Sequence, residues 1–140
     1  MGRKVAREST MKLLYQMDIN DDFSQKETNI FLENNELKSD EIDYINEVIK
    51  GINNNIEEID SYVEKYSEGW KLKRLAKIDL AILRIAIFEI MNLEDIPPQV
   101  SINEAVDVSK KYSTDESSKY INGLLGTFLK EYTKNKSQDN

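Results

Sequence analysis

The run IDLAILRIAIFEIMNL, residues 78–93, decides how this chain folds. Along a helix, at ~100° per residue, its apolar side chains point in every direction. A helix that is apolar all round must be covered all round, so this segment is expected at the centre of the molecule. Three charges interrupt it: Asp79, Arg84 and Glu89. Their five-residue spacing aims them at different sides, and each needs solvent, a partner charge or a backbone group, because an unpaired buried charge is costly.

The flanking segments supply the cover. Before it, Ile42, Ile45, Ile49, Ile52, Ile56, Ile59, Val63 and Tyr66 alternate in steps of three and four. That seam predicts one long helix from Ser39 or Asp40 to Tyr66, about 40 Å at ~1.5 Å per residue. Gly51 and Asn53-Asn54-Asn55 weaken its middle. The seam suits either a second copy or the rest of this chain, and packing within the chain is preferred because the other helices also need a partner. Further upstream, Val5, Met11, Leu14 and Met17 mark a helix over about Lys4–Asp18, which Asn20-Asp21-Asp22 ends. Ser24-Gln25-Lys26-Glu27 reads as a capping box opening a short helix that turns Ile30 and Phe31 inward.

After a break at Gly69-Trp70 comes a helical turn over Leu72–Leu75. Asp95-Ile96-Pro97-Pro98 stops the central helix. Ser101-Ile102-Asn103-Glu104 reads as a second capping box, with Ile102, Ala105, Val106 and Ser109 facing inward. A last helix follows the Ser113-Thr114-Asp115 turn and runs to about Thr133, burying Ile121, Leu124, Leu125, Phe128 and Tyr132. Gly123 and Gly126 are read as sites of close helix packing. The expected architecture is all-α, about seven helices and no strand. It forms one domain over 1–134, with subdomains of about 1–68 and 69–134, and a frayed polar tail at 135–140.

Composition narrows the function. With no Cys and no His in 140 residues, disulfides, thiolate catalysis, His-based triads and Cys/His metal sites are excluded. No phosphate loop or dinucleotide fingerprint occurs. Neither a signal-peptide core nor an apolar run of membrane-spanning length is present, so the expected location is the cytoplasm.

Charge is unevenly placed in a chain of net charge −7. Residues 1–16 carry Arg3, Lys4, Arg7 and Lys12 against Glu8 alone, whereas residues 17–70 carry 15 acids against 4 lysines. A second basic cluster, KKYSTDESSKYIN, places Lys110, Lys111 and Lys119 beside Tyr112 and Tyr120. Lysines meet phosphates and tyrosines stack on unpaired bases, so the two clusters point to single-stranded RNA. Tyr112 is expected in the core and Tyr120 toward solvent.

These pieces together resemble the NusB family of bacterial transcription antitermination factors. The resemblance rests on ARESTMKLLYQMD, on W-x-L-x-R-L-x-x-I-D-x-A-I-L-R-I-A-x-F-E-I from Trp70 to Ile90, on DIPPQVSINEAVDVSKKY and on SSKYINGLLG, in the family's order over nearly the full length. It implies two perpendicular three-helix bundles around the buried helix. It also implies a non-catalytic adaptor, without cofactor or metal, that binds boxA-type RNA jointly with a small-subunit ribosomal protein, NusE. The adaptor joins NusA, NusG and RNA polymerase, and when unbound it is a monomer or a homodimer.

By the same resemblance the family's arginine-rich N-terminus matches Arg3, Lys4 and Arg7, and an RNA-facing aromatic matches Tyr120, next to Lys119. An acidic position falls on Glu116, and Asp79 and Tyr15 match the face that meets the ribosomal protein. Lys12 and Lys111 join the RNA set from their place in the basic clusters. Lys4 stands where some members have arginine, and Val5 interrupts the basic run, which removes planar phosphate forks. On this view, charge reversal at Arg3 and Arg7 abolishes RNA binding and leaves the fold intact. The competing function is a helical protein-interaction scaffold without RNA contact. An accessory domain of an RNA-modifying enzyme ranks last.

Overall fold

A computed structural model describes residues 3–67 and 72–138. Met1, Gly2 and the expected break at Gly69-Trp70 lie outside the described residues. Within them are seven α-helices and no strand: α1 (Arg3–Asn20), α2 (Gln25–Glu33), α3 (Ser39–Asn54), α4 (Ile56–Tyr66), α5 (Lys77–Asn92), α6 (Pro98–Tyr112) and α7 (Asp115–Gln138). A 3₁₀ turn at Leu72–Arg74 precedes α5, as expected.

α5 is the axis. Residues 79–89 are buried without exception, and α1, α3, α4, α6 and α7 all pack against the helix. Its three charges each find an answer on a different side. Arg84 donates from Nε and Nη2 to the two oxygens of Asp60 on α4, at 2.9 and 2.8 Å, with Asp18 of α1 at 3.9 Å. Asp79 accepts hydroxyls from Ser113 and Ser117, both at 2.7 Å, and so holds the turn between α6 and α7. Glu89, only 1% exposed, accepts from Arg7 of α1 through Nε at 2.8 Å and Nη2 at 3.0 Å. It also accepts from Ser101 of α6 at 2.7 Å and from the hydroxyl of Tyr44 on α3.

Several expectations change. The 3–4 seam is buried within the chain, but it is carried by two helices broken at Asn55, where φ is −127°. The Asn55 side chain donates to the carbonyl of Gly51 at 2.8 Å, which satisfies that carbonyl while the helix stops. Gly51 is also more than a weak point: a Cβ there would overlap the ring of Phe88 on α5. On α1 the inward residue is Ala6, and Val5 is exposed. The helix ends in a Schellman arrangement: Asp22 N–H donates to the Met17 carbonyl at 3.0 Å, with Asp21 at φ 51°.

Ser24 does cap α2, but through its backbone rather than its side chain, and Ile30 is exposed. α6 begins at Pro98, whose missing N–H costs nothing in the first turn, so Ser101 is no cap but an internal, buried ligand of Glu89. Gly123 and Gly126 pack against nothing: no atom lies within 4 Å of a Cβ built on either. Their three-residue spacing keeps them on the outer face while Leu124 and Leu125 turn inward. α7 also runs on to Gln138 rather than ending near Thr133.

Two stability measurements check this packing. Arg7→Ala strands the Glu89 carboxylate, and urea unfolding is expected to show a loss of about 3–5 kcal/mol. Gly51→Ala is expected to lose about 1–3 kcal/mol to overpacking against Phe88. A gain near the ~1 kcal/mol helix-propensity difference would contradict the close approach.

Candidate nucleic-acid interface

α1 divides its basic residues between two faces. Arg3 and Arg7 are four apart and turn toward α5 and α3. Lys4, Glu8 and Lys12 share the neighbouring face, where Glu8 and Lys12 meet side chains from the end of α6. This division decides which cations face solvent.

Arg7 does not. Its side chain is buried against Glu89, so the expectation that it faces RNA is corrected, and with it the expectation that its charge reversal spares the fold. Burial disfavours the Arg7 charge, but the hydrogen bonds and charge of Glu89 outweigh that and raise its pKa. Burial likewise pushes the Tyr44 phenol far above its usual range, and the Glu89 charge adds to the effect. Arg3 is exposed and pairs with Asp95 at 3.2 Å. It borders a notch shared with Asp40, Asp43 and Glu47, an acidic setting that repels a phosphate chain.

The other face of α1 meets α6 in a compact basic group. Lys12 and Lys111 each place Nζ 5.3 Å from the centre of the Tyr112 ring, within cation–π range. Lys111 also lies 2.7 Å from Oε1 of Glu8. Partial desolvation pushes the Glu8 carboxyl up, but its close contacts with Lys111 and Tyr112, with the charges of Lys111 and Lys12, hold it below the usual carboxylate range. Tyr112 is half-buried, as the sequence led one to expect in part, and the two lysines flank it. Lys4 is exposed on the same face of α1, and Tyr15 is half-buried three residues beyond Lys12.

At the start of α7, Glu116 and Lys119 are exposed. Tyr120 is half-buried rather than free: its hydroxyl is 2.6 Å from Ser67 Oγ, which ties the end of α4 to α7. Burial and the nearby Asp79 raise the Tyr120 phenol, and the Ser67 hydrogen bond opposes them. Glu116, Tyr120, Arg74 and Asp79 border one open groove of about 270 Å³. Asp79 sits at its floor, 6% exposed, with both oxygens already engaged by serine hydroxyls. Its direct contacts within the chain are Ser113 and Ser117.

The structure therefore gathers Lys12, Lys111 and Tyr112 on one side of the α6 end, and Glu116, Tyr120 and Asp79 around the α7 start. It separates Arg3 and Arg7 from both groups. Sequence reasoning missed Glu8 as the partner of Lys111, although its place midway between Lys4 and Lys12 put it on the same helix face. It also missed Arg74 on the groove and Tyr44 behind Arg7.

Residues 4–130 match the model of the NusB family. The transcription antitermination protein NusB of Acetivibrio thermocellus is 49% identical over 130 residues, covering 93% of this chain and 90% of that protein. That of Natranaerobius thermophilus is 46% identical over 137 residues, covering 96% and 99%. Among solved structures, T. maritima NusB superposes with a TM-score of 0.85 at 32% identity, covering 94% of this chain and 92% of that one. A crystal structure of the antitermination factors NusB and NusE in complex with double-stranded RNA gives a TM-score of 0.84 at 28% identity, covering 93% and 97%. With that match over nearly its whole length, and with the α5 charges built into the same helical frame, this chain belongs to the NusB family of transcription antitermination proteins.

Proposed function

We propose that this chain is a transcription antitermination adaptor that binds boxA-type single-stranded RNA together with the small-subunit ribosomal protein that serves as NusE. The observation that carries this reading is the cationic group Lys12–Lys111 around Tyr112, set on a chain of net charge −7. Lys4 extends the group along α1, and Lys119 continues it onto α7. Relatives named as antitermination proteins, and a solved complex of NusB with NusE and RNA, support the same assignment.

In this reading Lys4, Lys12, Lys111 and Lys119 hold phosphates, and Tyr120 offers a stacking edge fixed by Ser67. Arg3, paired with Asp95 and bordered by Asp40, Asp43 and Glu47, lies outside this lysine path. Arg7 acts at one remove, by fixing the position of α1. Glu116 borders the RNA and tempers affinity by repulsion. Tyr15 belongs to the face that meets the ribosomal protein, and Asp79 shapes that side of the α6–α7 turn rather than touching the partner. The adaptor catalyses no reaction, acts in the cytoplasm and enters the assembly of NusA, NusG and RNA polymerase.

Fluorescence anisotropy with a boxA-type RNA and a scrambled control, over a salt series and with the ribosomal protein present and absent, tests the proposal. Wild type is expected to prefer the boxA-type RNA, more tightly with the partner. Replacing Lys12, Lys111 and Lys119 together with glutamine is expected to weaken binding and to flatten the log–log salt slope by about 2, at ~0.7 per single-strand phosphate contact. Selective binding with an unchanged slope in the triple variant would remove these lysines from the track. The absence of selective binding by wild type would favour the protein scaffold.

A further inference from the structure

Between α6 and α7 runs an open groove of about 580 Å³, of whose lining the phosphate-binding role uses only Lys119. Its walls alternate hydrogen-bonding types: Asn103, Asp107 and Lys110 come from α6, and Asp115, Lys119 and Asn122 from α7. All six side chains are exposed. The two lysines and two aspartates cancel in charge, so the groove is not built to attract a bare anion. It is built to meet a surface that presents donors and acceptors side by side.

We infer that this groove is a base-reading subsite, in which Asn103 and Asn122 recognise an unstacked adenine of the bound RNA. The inference rests on the RNA-adaptor reading and adds to it which residues choose the sequence. An asparagine amide pairs with adenine through two bonds, accepting from the exocyclic amino group and donating to a ring nitrogen. Gln99 Nε2 donates to Asn103 Oδ1 at 3.0 Å, which fixes the amide and leaves its NH₂ group free to donate. The groove floor is firm, because Ser109 and Ser118 share a hydroxyl hydrogen bond of 2.8 Å between the two helices. At the lip, Gly123 follows Asn122 with no atom near its missing Cβ, so a ribose can lie against the α7 backbone.

The position also suits a nucleotide bound to the lysines. Lys110 and Lys111 are neighbours on α6, about 100° apart around the helix. Lys111 reaches toward Glu8 on α1, whereas Lys110 lines the groove. A strand whose phosphates follow Lys12, Lys111 and Lys119 crosses the end of α6 with its bases beside this opening. The phosphates then supply affinity and the groove supplies choice.

The test is Asn103→Ala with Asn122→Ala, a double variant at exposed helical positions where alanine favours the helix. Binding of a boxA-type RNA and of its scrambled control is measured by anisotropy with the ribosomal protein present. The preference for the boxA-type RNA is expected to fall about tenfold or more, with the salt slope unchanged. In parallel, each adenine is replaced in turn by purine riboside, which lacks the amino group. Wild type is expected to weaken at one position to which the double variant is indifferent. An unchanged preference, or an equal loss for both RNAs, overturns the base-reading role while selective binding by wild type upholds the adaptor. If wild type itself shows no selectivity, the adaptor reading falls and this subsite falls with it.

Discussion

The carboxylate of Glu89 is the constraint on which the rest of the structure depends. It is an anion inside the most apolar helix of the chain, and it takes hydrogen bonds from three other helices at once, through Arg7, Tyr44 and Ser101. A buried ion pair of this kind is not chiefly a source of net stability, since the desolvation of both charges offsets most of their attraction. Its effect here is selective. A packing that moved α1, α3 or α6 away from this point would leave a charge or a hydroxyl unsatisfied, whereas the apolar contacts around it tolerate many arrangements. The network thus specifies which helices meet.

The other two charges of α5 extend the same logic to the functional end. Arg84 fixes α4 through Asp60 and, at longer range, α1 through Asp18. Asp79 fixes the Ser113–Ser117 turn and thereby the direction in which α7 sets out. Lys119, Tyr120 and Asn122 follow within the next two turns of that helix. The residue that looked most like a free binding charge acts as an anchor for those that remain exposed. Arg7 repeats the pattern: its burial sets the rotation of α1, and that rotation turns Lys4 and Lys12 outward.

Much of this was legible in the sequence. The all-round apolar pattern of 78–93 pointed to the buried axis, and the five-residue spacing of Asp79, Arg84 and Glu89 required three separate partners. The 3–4 seam correctly indicated a buried face but not where the helix breaks, because a seam records which side is covered and not whether the backbone continues past Asn55. The partners of Glu89 were not legible, since Tyr44 lies 45 residues away and carries no pattern of its own, and Ser101 reads as a helix cap. Gly123 and Gly126 misled for a related reason. A glycine in a helix signals that something comes close or that nothing does, and only the direction of its face separates the two. The basic tip was misread because a run of cations along a helix is divided by the 100° turn between residues, so that Arg7 goes inward while its neighbours do not.

That division bears on how an acidic protein selects one RNA. With Arg7 withdrawn and Arg3 beside Asp40, Asp43 and Glu47, few cations remain to attract a phosphate chain, and Glu8 already lies against one of them. In the proposed reading each exposed lysine contributes a modest, salt-sensitive attraction, and the acidic helices around them repel any strand that strays from the lysine path. Affinity for an arbitrary RNA is therefore held low. A strand gains enough to stay bound only by adding contacts that depend on its bases or on a second protein. The scarcity of positive charge is what makes such contacts decisive.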